Sequence, residues 1–298
     1  MSLVLILLPL LAGFLYALSS LFLKKAFQDG VGLMRVLFVS NIMMGFMIIG
    51  LLPLEGEPIQ WGNLHLPLIG GLFFFLGQVF TFVAIRVGDV SIVTPTMGTK
   101  VILVAVYGSL FFGRELSMMG WVAVVLAGGA VVLLGITPDS EGSRASVWKA
   151  IGWAFVSCSF FSMSDNLVSE WSPAFGRPAF LVITFLTVAV MSVVLIPFFS
   201  APLRAIPVSA WKWLGLGGFL LAFQALLLGL ALVVENPIVV NTIYSSRGLW
   251  AVILVVLIGS FFGNREGKLA KWVLAARASG SVLILVAIYL MLFVAGVD

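Results

Sequence analysis

Two fully charged side chains stand in the middle of long apolar runs: Lys100 in "PTMGTKVILV" (95–104) and Arg247 in "TIYSSRGLWA" (242–251). A charge at the centre of a hydrocarbon layer costs about 2.5–3.5 kcal/mol on insertion scales, so each needs a partner or a task. Ammonium and guanidinium groups donate to carboxylates and phosphates, and the arginine fork can match either one bidentately. The chemistry open to them is anion binding, with buried pairing to an acid or to helix carbonyls as the competing reading. Asp165 is the one acid placed deep enough for such a pair; Glu115, Glu235, Glu266 and Asp89 fall at the ends of apolar runs. About ten residues of helix, roughly 15 Å, separate each cation from the ends of its run, too far for snorkelling.

Polar and aromatic neighbours recur at helical spacing around both cations. Thr96, Thr99 and Tyr107 share a face with Lys100, and Asn241, Tyr244 and Trp250 share one with Arg247. These eight residues read as a cavity face, although ordinary hydrogen bonding between helices accounts better than substrate contact for any single threonine or tyrosine. Tyr244 or Trp250 could stack the guanidinium. Gln78, Gln224 and Asn41 sit at comparable depth and are candidates for the same cavity, again with helix-to-helix bonding as the alternative.

The elements that must position these residues are membrane helices. The chain has 298 residues, 62% hydrophobic and only 9% charged, with a mean hydropathy of +1.21, which excludes a water-soluble globular domain. Apolar stretches of about 20 residues, enough to cross a hydrocarbon core of about 30 Å, recur ten times. They run approximately 3–23, 34–54, 64–85, 90–112, 117–137, 150–168, 179–199, 213–234, 238–262 and 270–294. Gly, Pro and charge collect between them. Ser162, Ser164, Asp165 and Asn166 read as the wet, polar end of the sixth span, Pro95 and Pro237 as positions where helices bend or begin. The first span lacks a positive leader region and reads as a retained helix.

Charge in the connections gives an orientation. Eleven Lys and Arg residues follow odd-numbered spans, among them Lys24, Lys25, Arg35, Arg204, Lys212, Arg265 and Lys268, whereas even-numbered connections hold only Arg114 and Arg177. The positive-inside rule then puts both termini outside. The net charge of +4 is spread over membrane-flanking loops, so lipid headgroups rather than nucleic acid are its expected partners.

The chain also repeats itself. Laying residues 78–115 over 224–266 matches Gln78 with Gln224, "AIRVGDVSIV" with "ALVVENPIVV", Lys100 with Arg247, and "SLFFGRE" with "GSFFGNRE". More weakly, "GFLYALSS" (13–20) matches "GWAFVSCS" (152–159). The expected units are residues 1–137 and 150–298, joined by a linker at 138–149. Five spans per unit is an odd number, so the second copy enters from the opposite side, giving two inverted five-helix repeats in an all-α membrane protein. Inverted repeats suit alternating access around a site near the midplane, where Lys100 and Arg247 would face each other.

These features, with "GRELSMMGWVAVVLAGGAVVLLG" (113–135) and the Glu115 and Glu266 that end the fourth and ninth spans, resemble the drug/metabolite transporter superfamily, specifically its EamA-type ten-helix members. The resemblance covers essentially the whole chain and implies a transporter in a prokaryotic inner membrane, monomeric or weakly dimeric. It differs where many members carry proline or an apolar residue and this chain carries Lys100 and Arg247. There it is more similar to the phosphate-translocator branch, which implies a grip on an anionic substrate for those two residues. Glu115 and Glu266 suit the N-terminal dipoles of the helices they precede better than proton coupling.

The expected function is secondary transport of a small carboxylate- or phosphate-bearing metabolite, as an exchanger. Proton-driven export of amino acids or drug-like metabolites and flipping of an anionic lipid are the alternatives. Catalysis is not expected: the single histidine, His65, lies at a span end, the single cysteine, Cys158, reads as a packing residue, and no paired intramembrane acids or Ser/His arrangement occurs. No cofactor or metal is expected either.

Overall fold

The computed structural model describes residues 3–56, 58–87, 93, 96–135, 144–258, 261 and 271–295. Asp89, Pro95, Arg265, Glu266, Lys268 and residues 138–143 of the linker lie outside the described residues. Among the described residues, eleven α-helices carry the fold. They are α1 (Leu3–Gln28), α2 (Leu33–Ile48), α3 (His65–Val87), α4 (Lys100–Phe112), α5 (Met118–Gly135), α6 (Arg144–Phe175), α7 (Arg177–Met191), α8 (Val208–Leu232), α9 (Pro237–Tyr244), α10 (Arg247–Ile258) and α11 (Lys271–Phe293). No strand occurs among the described residues. Seven segments are long and apolar enough to cross a membrane, and Met97–Phe112 and Met118–Leu134 are shorter apolar helices. The protein is a multi-pass integral membrane protein.

Three expected spans take a different form. The ninth is two helices, α9 and α10, separated by Ser245 and Ser246, with Pro237 at the first helical position of α9, where its missing N–H costs nothing. The fourth opens with a 3₁₀ turn, Met97–Thr99, before α4 begins at Lys100. The sixth extends to Phe175 as a single helix of 32 residues, so Ser162, Asp165 and Asn166 are buried within it and do not form its wet end. Polar side chains within a membrane helix seek backbone carbonyls on neighbours when water is absent. Ser162 Oγ donates to Lys100 O (3.0 Å) and Asn166 Nδ2 to Val104 O (3.2 Å), a step of four residues on both helices that lays α4 parallel to α6.

Small residues allow the closest approaches. A Cβ on Gly77 would fall 2.8 Å from the Phe161 ring, and one on Gly71 would fall 2.6 Å from Thr184 O. The most extensive packing pairs are α3 with α6, α1 with α8, α5 with α11, α2 with α8, α3 with α7, α2 with α7, α4 with α6, and α1 with α10. Counted as spans, exchanging each with the span five further along returns the same set: 1–8 becomes 6–3, 2–8 becomes 7–3, 4–6 becomes 9–1, while 5–10 and 2–7 map onto themselves. At the centre of this arrangement α4 meets α9, which brings the two interrupted spans together.

Candidate functional site

Lys100 and Arg247 each open a helix that follows an interruption, α4 after the 3₁₀ turn and α10 after Ser245–Ser246. Backbone hydrogen bonding runs on through both interruptions, from Lys100 N to Met97 O and from Ser245 N to Asn241 O and Gly248 N to Ser245 O, so the helices change pitch there. Together with Asn241, Tyr244, Ser245, Gly98, Val101 and Val131 they line one cavity, with room for little more than a water molecule. A Cβ on Gly98 would come within 2.8 Å of Val131, so the glycine sets how closely α5 approaches the break.

The two cations differ in how they are held. Lys100, 8% exposed, pairs with Asp165, 4% exposed, at 2.6 Å from Nζ to Oδ2. Asn241 Nδ2 donates to the same carboxylate oxygen (2.9 Å) and to Pro237 O (2.9 Å), tying α9 to the pair. Arg247 has no carboxylate within ion-pair distance among the described residues. Its guanidinium carbon instead lies 4.7 Å from the Tyr244 ring centre and 5.2 Å from that of Tyr16, and the two rings meet edge-on at 6.2 Å. Aromatic faces attract a guanidinium without neutralising it. Lys100 and Asp165 cancel, so Arg247 leaves the centre with one net positive charge among the described residues.

Other candidates lie at graded distances from this centre. Thr99 donates to Thr96 O within the 3₁₀ turn (2.8 Å), closing the break, and does not line the cavity. Trp250 sits one turn beyond Arg247, its ring edge-on to Phe14 at 5.5 Å and its Nε1 buried without a hydrogen-bond partner among the described residues. Tyr107 packs on Phe111, about 10 Å farther along α4. Asn41 and Gln78 bond each other reciprocally (2.8 and 2.9 Å), and Asn41 also donates to Ser192 Oγ (2.8 Å), a clasp joining α2, α3 and the end of α7 away from the cavity. Gln224 is buried on α8 and does not line the cavity.

Tyr16 was not singled out by sequence reasoning. Its signal was the weak match of "GFLYALSS" to "GWAFVSCS", which marks α1 as the partner of a repeated feature. Gly13, one turn earlier, lets α1 reach the break: a Cβ there would lie 3.1 Å from Ser246 Oγ and 3.2 Å from Arg247 N. Gly13→Val should therefore push α1 off the break and destabilise by about 1–3 kcal/mol, read as a lowered Tm of the purified protein. An unchanged Tm would mean that α1 and α10 are not in this contact.

Among the described residues the protein is a helical membrane bundle whose central helices are interrupted and charged. Residues 3–136 match the EamA-like transporter family, so the resemblance seen in the sequence holds over that stretch. A protein described as an uncharacterized transporter in the cobO 3' region of Sinorhizobium sp. is 38% identical over 53 residues, 17% of this chain; the match spans 38% of that relative's own length. A protein of known crystal structure shares the fold across 98% of this chain and 97% of its own, with a TM-score of 0.74 at 15% identity.

Proposed function

We propose that this chain is a secondary transporter for a small anionic metabolite, bearing a carboxylate or phosphate, that works by alternating access. The observation that carries this reading is Arg247: a guanidinium at a helix break, faced by two tyrosine rings, with no carboxylate of the protein in ion-pair reach among the described residues. The family match over residues 3–136 supports transport over catalysis. The exchange symmetry of the helix packing supports two inverted five-helix halves, 1–137 and 150–298, that rock around the site. A cavity too small for a metabolite fits an occluded state that must open to load. Closing around an uncompensated positive charge is costly, which favours exchange of one anion for another. The charge bias of the connections, with both termini outside a prokaryotic inner membrane, completes the reading.

A second reading has its own support. Asp165 supplies the embedded carboxylate that proton-driven export of amino acids or drug-like metabolites would use, provided Lys100 releases it. A thermal-shift screen of small mono- and dicarboxylates, phosphate monoesters and amino acids on the purified full-length protein separates the two. The anion reading predicts that carboxylates or phosphate esters without an amino group raise the Tm of the parent and not of Arg247→Ala. It fails if such anions stabilise the variant as well as the parent, or if only amino-bearing compounds act.

A further inference from the structure

The N-terminal ends of α2 and α7 are each approached by a connection, and the two connections are built alike. After α2 the chain runs through a 3₁₀ segment containing Pro53, and after α7 through one containing Pro197. The first connection lays Glu55 over the start of α7: its Oε2 accepts from Ala179 N at 2.9 Å. Gly176, at φ +121°, precedes that helix, and a Cβ there would lie 2.9 Å from the same oxygen. A carboxylate at a helix N-terminus is the expected electrostatic match. The second connection brings the Ser200 hydroxyl against Gly32, which precedes α2, so close that a Cβ on Gly32 would collide with it.

No side chain caps α2, and its first turn holds a cation, the sign that the helix end disfavours. Arg35 is 4% exposed; its Nη2 donates to Gly30 O at 2.9 Å, while Nε and Nη1 are buried without a hydrogen-bond partner among the described residues. Nε lies 3.6 Å from the Cβ position of Gly32, on the side where Ser200 approaches. Asp29, on the connection between α1 and α2, makes no ion pair with Arg35 among the described residues. Buried guanidinium N–H groups left without acceptors are costly, and so is a cation at a helix N-terminus; one oxyanion would relieve both.

We propose that Arg35, the N-terminus of α2 and Ser200 form a binding site for a phosphate oxyanion at the membrane face, separate from the Lys100–Arg247 site. Ser200 is exposed, so entry requires only that its connection turn aside. Exposed Lys24 and Arg204 flank the same face and would draw in an anionic headgroup or free phosphate alike.

The test uses full-length protein in neutral detergent. Tm is followed with phosphatidylglycerol, with phosphatidylcholine of the same chains, and with inorganic phosphate, for the parent, Arg35→Gln and Ser200→Glu. Ser200→Glu supplies from the protein the carboxylate that α7 already has, and should raise Tm without any addition while abolishing further gain. In the parent, phosphatidylglycerol should raise Tm by several degrees beyond phosphatidylcholine, and Arg35→Gln should lose that gain. Inorganic phosphate matching the lipid would identify free phosphate as the ligand; a gain from phosphatidylglycerol alone would identify the headgroup. If Arg35→Gln does not fold, Ser200→Glu decides. The site is refuted if neither probe acts, or if the full gain survives in the folded variants. Arg247→Ala should keep the gain, so the two sites are judged separately.

Discussion

Truncating Asp165 to alanine should destabilise the folded protein by about 3–5 kcal/mol, because it leaves the Lys100 ammonium buried without its counter-charge. The cost comes from desolvation: an ion pair buried at 4–8% exposure is sustained by mutual attraction, and removing one partner abandons the other. Replacing both together, Lys100→Met with Asp165→Leu, should recover most of the loss, since an apolar pair of similar volume removes both penalties. Asn241 would then lose its carboxylate acceptor but keep its bond to Pro237 O, so recovery should fall short by about 1 kcal/mol. Denaturant unfolding of the parent, both single variants and the double variant in detergent measures the coupling. If Asp165→Ala is as stable as the double variant, the two groups are not a buried ion pair.

Arg247→Ala should have the opposite profile, sparing the fold and abolishing function. No protein carboxylate depends on Arg247 among the described residues, so its removal leaves no orphaned charge and costs its packing between Tyr16 and Tyr244 and its hydrogen bond to Tyr244. Losing the partner of a desolvated anion costs about 2–5 kcal/mol, which lowers uptake of a stabilising anion about thirty-fold or more. Arg247→Lys should fall between the two, because the charge survives but the planar fork and its stacking on tyrosine do not. Initial uptake rates at equal reconstituted protein, alongside unfolding midpoints, check both halves. A variant that unfolds readily yet transports at the parental rate would reverse the assignment.

Much of the fold was legible because hydrophobic runs of membrane length leave few alternatives, and the paired Lys100 and Arg247 were legible because charge in such runs is rare. The start of α9 at Pro237 was legible too, but the break inside the ninth span was not. Nothing in "NTIYSSRGLW" announces a break as proline would, since Ser245 and Ser246 are tolerated inside helices when their hydroxyls bond backwards, as Ser245 Oγ does to Thr242 O (2.5 Å). The extent of α6 was hidden for a related reason. Its stripe of Ser162, Asp165, Asn166 and Ser169 lowers its hydropathy just where it packs along α4, so the span seemed to end where its most specific contacts begin. Depth without rotation explains Asn41 and Gln78. Both lie mid-span, but hydropathy does not report which way a helix faces, and they face each other across α2 and α3. Asp165 illustrates the same limit from the other side. Sequence identified it as the one acid able to reach a cation, and only packing shows that Lys100 takes it and Arg247 does not.

Exchange across a membrane tests the central claim most directly. Proteoliposomes preloaded with an anion that raises the Tm of the parent, and supplied outside with the same anion carrying a label, should accumulate label with parental protein. Accumulation should need the internal anion and should fall to the level of empty liposomes with Arg247→Ala. Equal accumulation by parent and Arg247→Ala would contradict the assignment of the substrate anion to Arg247.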